Sequence, residues 1–587
     1  TPLHIGTGEE LAPLDYVALK EESRFYRITQ DQMSEFLKKM GSSSLEGPRA
    51  FAQWISEQHA EMRDIRDNRA LSQMADQMNP YAFSEAQGKT REFKQFIKDK
   101  AHKVFSAPVT FDDFTRNRHR NDAVIPLGRV REAIKDPKGE RPVLPGTSIK
   151  GAIRTAVFYH YLTNYADSNR VEKLVRDQLD NRRSRKERFA LPLIHDAFYC
   201  GIATESHGGK RLKTDDEKMD LFKLVRCRDA QVAASNEDSP LGFAKVNIYL
   251  VEKKQTRDRS KSYFEATQQR QTSYCEIIPE GTVLETELGF DIDFLLQVKS
   301  RIKGDGVPTK DGKAWVGLKE KVQQLFGLHL DELTEDNKEA KRQAIIAHLQ
   351  QCLNTFNQVQ LKAYQEWLEH FENNDKRNNY TDRIKAGSAV VLTRSDRSMM
   401  HLGYATGFDG MTALQYFLAD DKRKALFKEV MGKFNLGNKP GNRGRYTPNP
   451  DRFPKSKRMV EGRGIIQPMG WAEVFMPGED IRPLESVHLS DAILTEQAME
   501  EPAPPAAPAE PEFYDKPINP KKSPELDAVV VKAGRPNRVK VYVKPDYMPE
   551  LDLNGYRSPL ETDTLVRVQT TFNKKKKLVQ VAFRGLK

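Results

Sequence analysis

The sequence predicts an α+β fold: two lobes with helical insertions, then a linker and a small β-barrel. Three observations carry this prediction. Residues 1–300 and 301–495 each run through strands, a helical block and a glycine-rich segment. Residues 496–525 concentrate Pro and Ala, as in EPAPPAAPAEPE. Residues 526–587 return to short alternating apolar runs, and from Leu526 to Lys587 there are 13 Lys/Arg against 6 Asp/Glu.

In the first lobe, Leu3-His4-Ile5 reads as a strand end, followed by the turn Gly6-Thr7-Gly8 and strands at Tyr16–Leu19 and Phe25–Ile28. From about 30 to 105, Phe36-Leu37, Phe51 with Ile55, and Phe93-Phe96-Ile97 recur at three- and four-residue steps, the period of an inserted amphipathic helical block. Strand alternation returns at Leu224–Arg226 and Ala244–Leu250. Tyr274–Ile278 and Val283–Leu288, joined through Pro279-Glu280-Gly281, read as a hairpin.

The second lobe carries a helical block from about 318 to 371 and a glycine-rich, strand-prone region from Ala389 to Trp471. The Pro/Ala segment buries too little apolar surface to fold and reads as a semi-rigid linker. Strands at Ala528–Val531, Val539–Val543, Leu565–Val568 and Leu578–Phe583 make a compact basic barrel of OB-like type, a frequent single-strand nucleic-acid module.

A chain of 587 residues is too long for one ordinary domain. Its net charge of +11 and pI near 9.1 favour a polyanionic partner. Cys200, Cys227, Cys275 and Cys352 are far apart and form no CxxC, so they read as free thiols in a reducing cytoplasm. No apolar run approaches a membrane span and no signal-peptide pattern opens the chain. The first residue is Thr1 rather than Met, which points to a few residues preceding it.

The stretch VLPGTSIKGAIRT (Val143 to Thr155) has the most chemistry per residue. Pro145-Gly146 turns the chain, and Thr147 or Ser148 can cap a helix. The free N–H groups of its first turn favour an anion. Lys150 and Arg154 share a face at i, i+4, and Gly151 leaves the surface open to a sugar–phosphate backbone. No GxxxxGK[ST] is present, so nucleotide hydrolysis gains no support. On the residues alone, a capped helix with two solvated cations reads equally well.

This stretch resembles the PGSSIKGAIR element of the RAMP superfamily, the repeat-associated proteins of type III CRISPR effector complexes. LHIGTGEELAPLDYV (Leu3 to Val17) is similar to that superfamily's opening. MHLGYATGFDGMTAL (Met400 to Leu414) resembles its IGxGTGF element, with Met411-Thr412 in place of Lys-Thr. FNLGNKPGNRGRYTPNP, followed by Gln467 to Trp471, resembles its late glycine-rich loop and final strand. The order fits the subunit that caps the guide RNA's 3′ end in the type III-A (Csm) complex. The resemblance spans about Thr1 to Trp471 and omits the linker and barrel.

The resemblance implies two ferredoxin-like (RRM-like) lobes and no cofactor or metal. It further implies binding of crRNA and target single-stranded RNA, and contact with the backbone and small Csm subunits; host nucleases are a further candidate partner. The implied RNA-binding residues are Gly6, Gly8, Thr147, Ser148, Lys150, Gly151, Arg154, Lys245, Gly403, Gly407, Lys433, Lys439, Arg443 and Arg445. It also implies a β-hairpin thumb, for which Asp229 to Arg270 is the candidate, with charge from Arg257, Arg259 and Lys261. The segment Lys433 to Arg463 adds nine Lys/Arg against two acids among aromatics, which suits single-stranded RNA. The expected chain is non-catalytic. The alternative is an endoribonuclease using His4 as general base, or Asp15 with a metal.

Overall fold

The computed structural model describes residues 1–19, 24–63, 65–66, 71, 74, 78–100, 106–108, 129–136, 141–206, 209–213, 217–233, 241–255, 262–303, 306–308, 313–369, 371, 380–394, 397–437, 447–461, 465–477, 479, 525–532, 537–541, 543, 548–554, 565–572 and 578–586. The proline-rich segment lies outside them. The chain divides into two units, Thr1–Ile481 and Arg482–Lys587.

In the first unit, β1 (Gly6–Leu11), β2 (Tyr16–Leu19) and β3 (Arg24–Arg27) precede α1 (Gln30–Met40), α2 (Glu46–Arg63), α3 (Pro80–Ala86) and α4 (Thr90–Asp99). The helical insertion therefore forms where the periodicity predicts. Helix α1 starts at Thr29, whose side chain accepts from Gln32 N–H while Gln32 Oε1 accepts from Thr29 N–H, a reciprocal capping box. Phe36, Phe93, Phe96 and Ile97 pack with Val17, Leu19 and Tyr26 of β2 and β3, which removes the apolar helix faces from water.

The chain continues through β4 (Ser106–Pro108), β5 (Val130–Ala133), α5 (Gly146–Asn164), α6 (Ser168–Asp180), α7 (Leu191–Phe198), β6 (Gly201–Ser206), β7 (Gly209–Lys213), β8 (Val225–Cys227) and β9 (Gln231–Val232). Two long strands follow, β10 (Gly242–Gln255) and β11 (Ser262–Ile277), paired antiparallel along almost their whole length. Then come β12 (Leu284–Glu285), β13 (Leu288–Phe290), α8 (Ile292–Lys299), β14 (Gly306–Pro308), β15 (Lys313–Val316), α9 (Leu318–Phe326) and α10 (Lys338–Glu369). The unit closes with α11 (Tyr380–Leu392), β16 (Met399–His401), α12 (Gly407–Met411), α13 (Leu414–Leu418), α14 (Asp421–Phe434), β17 (Ser456–Glu461), β18 (Ile466–Pro468) and β19 (Trp471–Glu473).

The largest sheet runs β1-β5-β11-β10-β17-β18, so strands from both expected lobes share one sheet. Thr1 N donates to Trp471 O at 2.9 Å, which sets Thr1 beside β19. Helix α10 packs across α5, with Tyr159 and Phe356 rings 5.3 Å apart. Among the described residues no helix is long and apolar enough to cross a membrane.

Three local expectations are corrected. Tyr274–Ile278 and Val283–Leu288 are not a hairpin: β11 pairs with β10 and β5, whereas β12 and β13 pair with β9 and β8. Pro279 O accepts from Thr282 N–H, so the turn exists, but long-range partners claim its arms. The region 389–471 is largely helical up to Phe434, because α14 carries its own Asp420 cap and a buried Leu426-Phe427-Val430-Met431 face. Gly6 and Gly8 lie within β1, where the register slips between Gly6 and Glu10 and Gly8 adopts φ +92°.

In the second unit, β20 (Glu525–Lys532), β21 (Arg538–Val541), β22 (Glu550–Asn554), β23 (Leu565–Phe572) and β24 (Leu578–Leu586) close a barrel in the order β20-β21-β22-β24-β23. Strands β22 and β24 run parallel and the other neighbours antiparallel, as in the five-stranded OB-type barrel. Leu526, Ala528 and Val530, then Val539 and Val541, then Val566 and Val568 fill its core, the period-2 pattern read from the sequence.

Candidate nucleic-acid interface

Helix α5 begins at Gly146 after Pro145, and no side chain of Thr147 or Ser148 caps it. Its cap comes from elsewhere: Asp229 Oδ1 accepts from Gly146 N–H at 2.7 Å. A Cβ on Gly146 would stand 2.3 Å from Cys227 O, so this glycine permits the helix to touch the backbone before Asp229. The expected cap at Thr147 or Ser148 is thus corrected by a long-range contact.

The helix then sorts its side chains onto two faces. Lys150 Nζ donates to Val225 O at 2.7 Å and lies 5.8 Å from the Phe222 ring. Arg154 bonds Asp220 at 2.7 Å and stacks on Phe198 at 4.2 Å. Burial lowers the Lys150 pKa from its ordinary value, with Asp220 opposing the shift. Both cations therefore hold α5 against the segment leading into β8.

Ser148, Gly151, Ala152 and Thr155, at spacings of three and four, face the other way and line a cleft of 550 Å³. Its other walls are Gly6 and Gly8 of β1 and the loop Leu402–Tyr404. Three stretches far apart in sequence meet there. Gly403, at φ +82°, is required by contact: a Cβ would stand 2.4 Å from His4 O, while Tyr404 N–H donates to that same oxygen at 2.9 Å. Gly407 lines an adjoining cavity of 470 Å³ that shares His401 and Thr406 with the cleft.

Arg131 is the cation that sequence reasoning missed. It lines the cleft from β5, and its guanidinium lies 4.6 Å from the Tyr404 ring. The alternation Val130-Arg131-Glu132-Ala133 marks a strand, but nothing local says which cleft that strand borders.

His4 is buried in the cleft floor, its Nδ1 donating to Glu276 O at 2.6 Å. Burial lowers its pKa, aided by Arg131 and Lys135 and opposed by the Glu276 carbonyl. Asp15 Oδ2 accepts from Ala12 N–H at 2.8 Å, a turn-capping role.

The remaining expected RNA-binding cations are dispersed. Lys245 pairs with Glu461 at 3.2 Å. Lys433 Nζ donates to Gln178 O, Leu179 O and Asn181 O at 2.7, 2.6 and 2.8 Å, closing the C-terminus of α6. Lys439, Arg443 and Arg445 lie outside the described residues, as do Arg257, Arg259 and Lys261.

The sequence model of the RAMP superfamily matches residues 1–373. A chain in the cryo-EM structure of a Csm–crRNA–target RNA ternary complex of a type III-A CRISPR-Cas system is 18% identical. It aligns with a TM-score of 0.43 over 80% of this chain and 97% of its own length. The crystal structure of T. onnurineus Csm5 is 17% identical, with a TM-score of 0.43 over 81% of this chain and 98% of that one. No curated protein matches the chain. With more than half of its length matched by the superfamily's model, the chain belongs to the RAMP superfamily.

Proposed function

We propose that this chain is a non-catalytic, guide-RNA-binding structural subunit on the 3′-end side of a type III-A CRISPR ribonucleoprotein. In this reading the cleft between β1, the Gly151 face of α5 and the Gly403 loop seats the guide backbone. The β10–β11 pair serves as the thumb at the target strand. Two ferredoxin-like lobes, contacts with the backbone and small Csm subunits, a cytoplasmic location and a nuclease-recruiting or RNA-gripping barrel belong to the same proposal.

One observation carries it. Glycine inside a helix costs about 1 kcal/mol relative to alanine. Gly151 stands inside α5, and beyond its chain neighbours and the helix's own backbone no described atom lies within 4 Å of where its Cβ would be. Packing therefore gives no reason for this glycine. It faces the cleft, where a missing side chain leaves room for a sugar–phosphate chain to reach the helix. Arg131 and the Ser148 hydroxyl are suited to bond phosphate oxygens there, while the Thr155 hydroxyl donates to Gly151 O at 3.0 Å.

The test is recovery of RNA with the wild type and Gly151→Leu from cells expressing a CRISPR array. Loss of short guide RNA from a variant whose melting temperature is unchanged or raised supports the proposal. Full retention of guide RNA by Gly151→Leu sinks it.

A further inference from the structure

Where α5 crosses α10, two histidines and a cysteine converge outside the RNA cleft. His348 and Cys352 stand one turn apart on α10, and His160 comes from the last turns of α5. One ligand atom from each lies within 4.8 Å of the other two. Cys352 Sγ is 3.5 Å from His348 Nε2. With metal–nitrogen and metal–sulfur bonds of tetrahedral zinc near 2.0–2.1 and 2.3 Å, the N–S edge of the tetrahedron is also about 3.5 Å.

The hydrogen bonding leaves room for an ion. Asn164 Nδ2 lies 3.0 Å from His160 Nδ1 and 2.9 Å from His160 O. With Nδ1 thus engaged, His160 Nε2 is a buried polar atom lacking a partner among the described residues. The two imidazoles meet edge to face with centroids 5.2 Å apart. A side chain at Gly327, which has φ +65°, would meet the His348 ring at 3.1 Å, so the glycine keeps that ring's position open.

We propose that His160, His348 and Cys352 form a zinc site that fastens α5 to α10. Two imidazoles and a thiolate are a borderline-soft donor set, which suits zinc and disfavours magnesium or calcium. Neutral imidazoles and a thiolate are the ligating forms, so zinc binding releases the Cys352 thiol proton to solvent. His160 and His348 are half-buried and Cys352 is buried, and a water would complete the tetrahedron of the three donors. When Nε2 ligates, the ring proton of His160 sits on Nδ1 and Asn164 Nδ2 keeps its bond to His160 O. The fastening sits at the far end of the helix whose first turns wall the RNA cleft.

The experiment uses the full chain, stripped of metal by chelator and then given Zn²⁺ or Co²⁺ alone. One Zn²⁺ per chain, a zinc-dependent rise in melting temperature and a thiolate-to-cobalt charge-transfer band are expected. Cys352→Ser removes the band, and His160→Gln or His348→Gln weakens zinc binding by tenfold or more. If Cys352→Ser does not fold, the triple variant Cys200→Ser, Cys227→Ser, Cys275→Ser must keep the band, leaving Cys352 as its source. A chain that takes up no stoichiometric zinc, or a band that survives Cys352→Ser or disappears in the triple variant, overturns the proposal.

Discussion

Asp229 Oδ1 accepts from Gly146 N–H at 2.7 Å, so the helix carrying the family's most recognisable stretch is capped from 83 residues away. Loss of an N-cap costs about 1 kcal/mol, within a range of roughly 0.5–2. Asp229→Ala should lower stability by that amount and Asp229→Asn by less, since the amide oxygen still accepts. Thr147→Ala should be nearly neutral. Chemical-denaturation midpoints of the three variants check this.

Lys150 and Arg154 divide stability from RNA contact. Each bonds the segment Asp220–Val225 rather than the cleft, so Arg154→Ala should cost about 1–2 kcal/mol through the lost ion pair and the lost packing on Phe198. A double-mutant cycle with Asp220→Ala should return a coupling near 1 kcal/mol. RNA affinity should fall less in Arg154→Ala than in Arg131→Ala. The reverse order, at unchanged stability, would place the backbone clamp on Lys150 and Arg154.

His401 makes stability pH-dependent. Burial lowers its pKa to about 3, aided by Lys457 and opposed by its bond to Met469 O, and the ring stacks on Trp471 at 4.3 Å. The unfolded value is about 6.5. Between these values the unfolded chain binds the extra proton, so this contribution is complete above about pH 6.5 and drains as pH falls toward 3. Each unit costs at most about 1.4 kcal/mol. Denaturation midpoints of His401→Gln and wild type, compared from pH 7 to 4, should converge as the pH drops.

Glu276 joins the strands that frame the cleft. Its fully buried carboxylate accepts from Ala133 N–H at 2.9 Å and from Lys135 Nζ at 2.5 Å, with Lys135 only 5% exposed at its side chain. Removing Glu276 leaves Ala133 N–H without its acceptor, while Lys135 keeps Glu132 Oε1 and Ala133 O, each at 3.2 Å, so the cost should be about 2–3 kcal/mol, below that of a fully stranded buried charge. Glu276→Ala should therefore be the most destabilising of these substitutions. It should also impair RNA binding by loosening β5, which presents Arg131. A melting temperature within a degree of wild type would refute this reading of the pair.

Local pattern alone determined the inserted helices of residues 30–99, the long helix α10 and the C-terminal barrel. In each, the period of the apolar residues matches the element; the inserted helices and the barrel also pack largely on near neighbours, whereas α10 packs on the distant α5. Gly6 and Gly403 stand where a Cβ would crowd His4, whereas Gly8 is set by its φ of +92° and Gly151 faces open space. Tertiary structure decided the rest. It passed the arms of the Pro279 turn to β5, β8, β9 and β10, and supplied the α5 cap from Asp229. It turned Lys150, Arg154, Lys245 and Lys433 inward and set Arg131 in the cleft. A cation's stem is long and its charge seeks the nearest acceptor in space. Sequence spacing therefore gives the face it leaves from, while only the folded chain determines the oxygen it reaches.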